Sequence, residues 1–165
     1  MTVIGVRVEL PSNTPIVLLR EQDGPRYLPI WIGAAEATAI ATAMENVEPP
    51  RPQTHDLLVM TIEELGASME RVVVSEMRDS VFYADLVLAT PNGEVHISAR
   101  PSDSIALAVR TGAPVFADAS VLAEAGIEIE DESEEQQIER FREFLEDVTV
   151  EDFLEGGEGE GGTGA

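Results

Sequence analysis

The sequence predicts an α+β domain with a mixed or antiparallel sheet and packed helices. Three observations carry that expectation. Apolar residues alternate with polar ones at Ile4, Val6, Val8 and Leu10, the period-two signature of a half-buried strand. Glycine and proline separate short β-rich runs from alanine-rich helical ones. The order strand, turn, strand, glycine, strand, helix also occurs twice, around Gly24 and around Gly93. Either a βββα unit has been duplicated, or two independent meander-plus-helix units happen to have similar length.

The elements follow in order. The first strand ends at the turn cluster Pro11-Ser12-Asn13-Thr14-Pro15. Residues 16–21 and 27–32 read as strands around a turn at Gln22-Asp23-Gly24-Pro25. Residues 33–45 are alanine-rich and helical, and Pro49-Pro50-Arg51-Pro52 stops any continuation. A second helix is expected over 55–65, with Thr54 as N-cap and Gly66 just past its end. Residues 68–77, 81–90 and 94–99 read as strands, the last two joined at Asn92-Gly93. A helix beginning at Ser102 or Asp103 runs to Thr111 and closes at Gly112. A short strand at Val115-Phe116 and a short helix over 119–125 complete the domain, taken as residues 1–126.

Beyond it, Ile138, Phe141, Phe144, Leu145 and Val148 recur at helical spacing after a Ser133 cap, so 127–155 reads as an acidic amphipathic helical extension. Residues 156–165 are almost all Gly and Glu, a composition too poor in apolar groups to order, and read as disordered. The chain of 165 residues carries 32 acids against 10 bases, net −22. Residues 127–165 hold 15 of the acids and two arginines, net −13. Such a surface repels phosphate backbones at long range and counts against avid duplex binding. As a polyanion the acidic segment solubilises the chain, or competes with nucleic acid for Arg51 and Arg100. With no cysteine, disulfides and thiolate metal sites are excluded. No apolar run approaches the ~20 residues that span a bilayer, and the N-terminus reads as a strand; a cytoplasmic protein without membrane contact is expected. An apolar strand such as 81–89 leaves an edge to cover, and a homo-oligomer is expected on that ground.

Three constellations carry candidate chemistry. Glu36 falls in the first turn of its helix, where it serves as a metal ligand, as a general base or merely as a helix-dipole acid. In Arg51-Pro52-Gln53-Thr54-His55-Asp56 a stiff loop presents a cation, an imidazole that titrates near neutrality and a carboxylate, or else two capping residues. In Arg100-Pro101-Ser102-Asp103 a helix start beside an arginine suits an oxyanion or phosphate, with Ser102 and Arg100 as contacts; the alternative is an Arg100–Asp103 ion pair. His96 alternates with Val95 and Ile97 and reads as a solvated surface residue. There is no Walker loop, dinucleotide fingerprint, HExxH or GxSxG.

These segments occur together and in order. Leu28-Pro29-Ile30-Trp31-Ile32-Gly33, Glu36-Ala37 and Ala39-Ile40 precede Arg51-Pro52 and Thr54-His55-Asp56-Leu57. Phe82-Tyr83-Ala84, Ala99-Arg100-Pro101-Ser102-Asp103 and Ile105-Ala106-Leu107-Ala108 follow. Over residues 1–126 the chain thereby resembles the bifunctional nuclease family, catalogued first as a domain of unknown function. The resemblance implies a compact α+β fold and degradation of both DNA and RNA. It also marks a departure: the family pattern has an aspartate where this chain has Ser98, two residues before Arg100.

Two functions of different class follow. In the first, the protein is a metal-dependent phosphodiesterase. Glu36, Asp56 and Asp103 converge on Mg²⁺ or Mn²⁺, the hard cations that oxygen ligands prefer. The metal activates a water, His55 moves a proton, and Arg51 and Arg100 stabilise phosphoryl charge. In the second, the same side chains are a buried polar network in a non-catalytic binding or regulatory module, and the acidic helix meets a partner.

Overall fold

The computed structural model describes residues 1–128, and within them eight strands and four helices follow one another. They are β1 (Thr2–Glu9), β2 (Thr14–Arg20), β3 (Arg26–Trp31), α1 (Ala34–Met44), α2 (Thr54–Glu64), β4 (Ser68–Arg78), β5 (Val81–Thr90), β6 (Gly93–Ala99), α3 (Pro101–Thr111), β7 (Val115–Ala117), α4 (Ala119–Ala125) and β8 (Ile127–Glu128). The class is α+β, as expected. The strands divide between two four-stranded sheets, ordered β1-β2-β3-β8 and β6-β5-β4-β7. The first is antiparallel throughout. In the second, β7 returns after α3 and lies parallel to β4, while the other pairs are antiparallel. The helix expected over 133–148 and the tail over 156–165 lie outside the described residues.

Alternation decides which strand residues are buried. Val17 and Leu19 of β2, Val72 and Val74 of β4, and Ala84, Leu86 and Leu88 of β5 point into one continuous core. Against them packs α3, the most buried helix, with Ile105, Ala106, Leu107 and Ala108 sealed from solvent and α1, α2, β4 and β5 as neighbours. Alanines at 37, 39, 106 and 108 allow close approach of α1 and α3.

Three details differ from expectation, each for a local reason. The N-cap of α2 is Gln53 rather than Thr54: Asp56 reaches back and accepts the Gln53 backbone N–H at 2.8 Å, which fixes the cap three residues before it. Pro101 is the first residue of α3 rather than a residue before it, because proline's fixed φ and missing N–H suit the first helical position. β5 is an interior strand between β4 and β6, so the edge on that side of the sheet belongs to β6, whose residues are nearly all exposed. No helix among the described residues is long and apolar enough to cross a membrane.

Candidate active site

The three candidate acids share one local position. Glu36, Asp56 and Asp103 are each the third residue of their helix, where backbone amides with no intrahelical partner favour negative charge. Tertiary packing then divides them. Arg100, the N-cap residue of α3, donates from Nε to Asp103 Oδ2 at 2.7 Å and from Nη2 to Glu36 Oε1 at 2.9 Å. The other oxygen of Asp103, Oδ1, lies 3.0 Å from His55 Nε2. Glu36, Arg100, Asp103 and His55 therefore form one chain of contacts drawn from α1, α2 and the start of α3. They line an open hollow of about 690 Å³. The His55 side chain is 14% exposed, whereas that of Arg100 is 66% exposed.

Burial pushes the Asp103 carboxyl up, but the Arg100 and His55 hydrogen bonds and charges outweigh it and hold it below the ordinary carboxylate range. Asp103 is thus an ionised acceptor at neutral pH. That fixes the neutral His55 ring with its proton on Nε2 and leaves Nδ1 as the basic nitrogen. Asp103 and then Glu36 hold the Arg100 guanidinium even more firmly protonated than usual.

Asp56 faces elsewhere. Its Oδ1 accepts from Arg110 Nε at 2.6 Å, and its Oδ2 accepts the Gln53 N–H. The Arg110 hydrogen bond, followed by that of Gln53, holds its carboxyl low. Arg110 stands seven residues beyond Asp103, two turns on along the same face of α3 and about 10 Å away along the axis. His55 and Asp56 therefore engage different ends of that face. Arg110 also donates to the Ala39 and Ala106 carbonyls at 3.0 and 2.8 Å and is 10% exposed. Arg51 lines the hollow that holds Asp56 and Arg110, across Pro52 from the Glu36 cluster.

The expected convergence of Glu36, Asp56 and Asp103 is accordingly not formed. Among the described residues no group of three or more His, Asp or Glu side chains gathers in a metal-holding arrangement. Both Asp103 oxygens are engaged, Asp56 is committed to Arg110, and a guanidinium already stands between Glu36 and Asp103. This donor set does not fit Mg²⁺ or Mn²⁺, which ask for several free oxygens around one point.

Ser102 is buried and lines a third hollow with Arg100 and Trp31. Ser98 stands opposite Asp85 in the β5–β6 ladder, on the face of the sheet away from Ala84 and Leu86, so its departure from the family pattern lies outside the cluster. His96 is exposed, as expected, with Glu94 3.4 Å away. Sequence reasoning missed Arg110, although its spacing of seven from Asp103 placed both on one helix face.

The bifunctional nuclease domain matches residues 17–130. An uncharacterized protein of Mycobacterium tuberculosis is 48% identical over 159 residues, 92% of this chain and 95% of that protein. Bifunctional nuclease 1 of Oryza sativa subsp. japonica is 25% identical over 130 residues, 77% of this chain but 39% of the rice protein. Bifunctional nuclease 1 of Arabidopsis thaliana is 28% identical over 105 residues, 61% of this chain and 32% of the relative. This chain belongs to the bifunctional nuclease domain family.

Proposed function

We propose that the protein hydrolyses phosphodiester bonds of DNA and RNA at the Glu36–Arg100–Asp103–His55 cluster. The observation that carries this reading is the His55–Asp103 pair at 3.0 Å beside an exposed guanidinium, in a chain of this family. Arg100 Nη1 has no hydrogen-bond partner among the described residues and is the donor for a non-bridging phosphate oxygen. His55 Nδ1 takes a proton from the attacking water. As the P–O bond breaks, the imidazolium returns a proton to the departing oxygen, and Asp103 keeps the ring oriented throughout. Glu36 steadies Arg100. With net charge −22, attraction to nucleic acid is local to this guanidinium, and binding is weak rather than avid.

The test is cleavage of short single-stranded DNA and RNA by wild type, His55→Gln and Asp103→Asn. Each variant is expected to lose about 100-fold or more in rate with its fold retained. Wild-type cleavage is expected to persist in EDTA. Loss in EDTA with recovery in Mn²⁺ would overturn the metal-free step and return Glu36 and Asp103 to a metal-holding role.

The second reading, a structural tie in a regulatory module, is favoured by one fact: both oxygens of Asp103 and of Asp56 are paired. Under it, Asp103→Ala costs stability and leaves nucleic acid equally intact before and after the change. A cytosolic homo-oligomer joined along the open β6 edge completes our proposal, and a monomer mass by light scattering would count against that part.

A further inference from the structure

Arg100 also borders a second hollow, whose lining does not include His55. This cleft of about 370 Å³ is walled by Trp31, Val81 and Phe82 and closed by Gly33, Arg100 and Ser102. We propose that it is a base-binding subsite, in which one nucleobase of a single-stranded nucleic acid stacks on Trp31 while Arg100 holds the adjoining phosphate. The proposal rests on the phosphodiester reading of the neighbouring cluster and names how that cluster engages its substrate.

Three observations support it. Trp31 is the chain's one tryptophan, and although Ile30 and Ile32 on either side are buried, the residue is 53% exposed. The ring is also held: Trp31 Nε1 donates to Glu9 Oε2 at 3.0 Å, so an exposed aromatic face is presented with little freedom left to lose. Charge decides the class of occupant. In a chain with 32 acids, this cleft has an arginine and no carboxylate in its lining, whereas the hollows around His55 and Asp56 both contain acids. An aromatic wall beside a guanidinium that keeps Nη1 free, its Nε and Nη2 being held by Asp103 and Glu36, suits a planar ring attached to a phosphate, and stacking of this kind is indifferent to base identity. The volume lies within the roughly 300–1,000 Å³ of small-ligand sites.

Because Trp31 is the sole tryptophan, its fluorescence reports on this cleft alone. The experiment titrates the full chain at low salt with hexathymidylate and with an abasic hexamer of equal charge. Hexathymidylate is expected to quench emission saturably and to bind about tenfold or more tighter than the abasic probe. Trp31→Leu and Trp31→Phe have no tryptophan, so their binding, and that of wild type beside them, is read by the anisotropy of the same two probes carrying a 5′ dye; Trp31→Leu is expected to erase the difference and Trp31→Phe to keep most of it. Equal binding of the two probes by wild type, or an undiminished difference in Trp31→Leu, would overturn the subsite. The two proposals fail separately. Quenching without cleavage sinks hydrolysis and keeps the subsite; cleavage without quenching does the reverse.

Discussion

Residues 2–44 and 68–111 each run through three strands into a helix, and the two helices can be aligned position by position. Glu36 and Asp103 are both third in their helices, Ala37 and Ser104 fourth, Ala39 and Ala106 sixth, Ile40 and Leu107 seventh. Position zero differs: Gly33 precedes α1 and Arg100 precedes α3. With no side chain at Gly33, the Glu36 carboxylate folds back over that residue, into the space a Cβ would take. Arg100 fills the corresponding place with a guanidinium and reaches both acids. Ten residues later Arg110 does the same for the backbone, donating to the sixth-position carbonyls of both helices, where α1 has Ala43. Two near-equivalent units thus become one site because a single unit supplies the cations. Local helix chemistry sets where the acids stand; the unshared arginines decide what they do.

Removing Arg100 is the largest test of that asymmetry. Arg100→Ala is expected to cut phosphodiester cleavage about 100-fold or more, with Arg100→Lys recovering little of it, because a point charge cannot span both carboxylates. Steady-state kinetics on a single-stranded substrate reads both variants. A rate near wild type in Arg100→Ala would mean that the two acids work independently.

The second test concerns Arg110, whose partner can be deleted. Asp56→Ala leaves a nearly buried guanidinium short of its carboxylate and frees the Gln53 amide, and is expected to cost about 2 kcal/mol in urea denaturation. The pH dependence has a definite sign. Asp56 and Asp103 both ionise below their ordinary range in the folded protein. Their contribution to stability is therefore complete above the unfolded carboxyl value of about 3.9 and disappears as pH falls through the lower folded values. Thermal melts are expected to show declining stability on acidification below about pH 4, with a shallower decline in Asp56→Asn.

Smaller effects come from making the units alike. Gly33→Ala puts a methyl group where the end of the Glu36 side chain lies. The flexible carboxylate can swing aside, so the expected cost is about tenfold in cleavage rate with little change in melting temperature. Ser104→Ala gives α3 the residue that α1 carries. Ser104 Oγ is buried without a hydrogen-bond partner among the described residues, and its removal is expected to be neutral or to stabilise by up to about 1 kcal/mol in the same urea assay.

The elements that depend on local signals were legible in the chain. Alternation marked β1, Gly66 and Gly112 marked helix ends, and the repeated strand order anticipated the two units. Shifts of one residue at Gln53 and Pro101 are cap chemistry that several polar neighbours could have supplied. β8 carries two residues, too few for any periodicity, and it joins β3 just past the expected boundary at 126. The candidate site was half legible. Glu36, His55, Arg100 and Asp103 meet, because helix starts are readable from sequence. The placement of Asp56 and Arg51 depends on how α2 lies along α3, a question of side-chain register between distant segments. No local pattern records that register.

α2 is fastened to α3 at two points, His55 on Asp103 and Asp56 on Arg110, two turns apart. In the second fastening the Asp56 carboxyl is held low by Arg110 and Gln53, while under the proposed hydrolysis the first would involve a ring that gains and loses a proton. The segment bearing the imidazole is therefore moored independently of the imidazole's own state. A base mounted this way can change charge without changing its address.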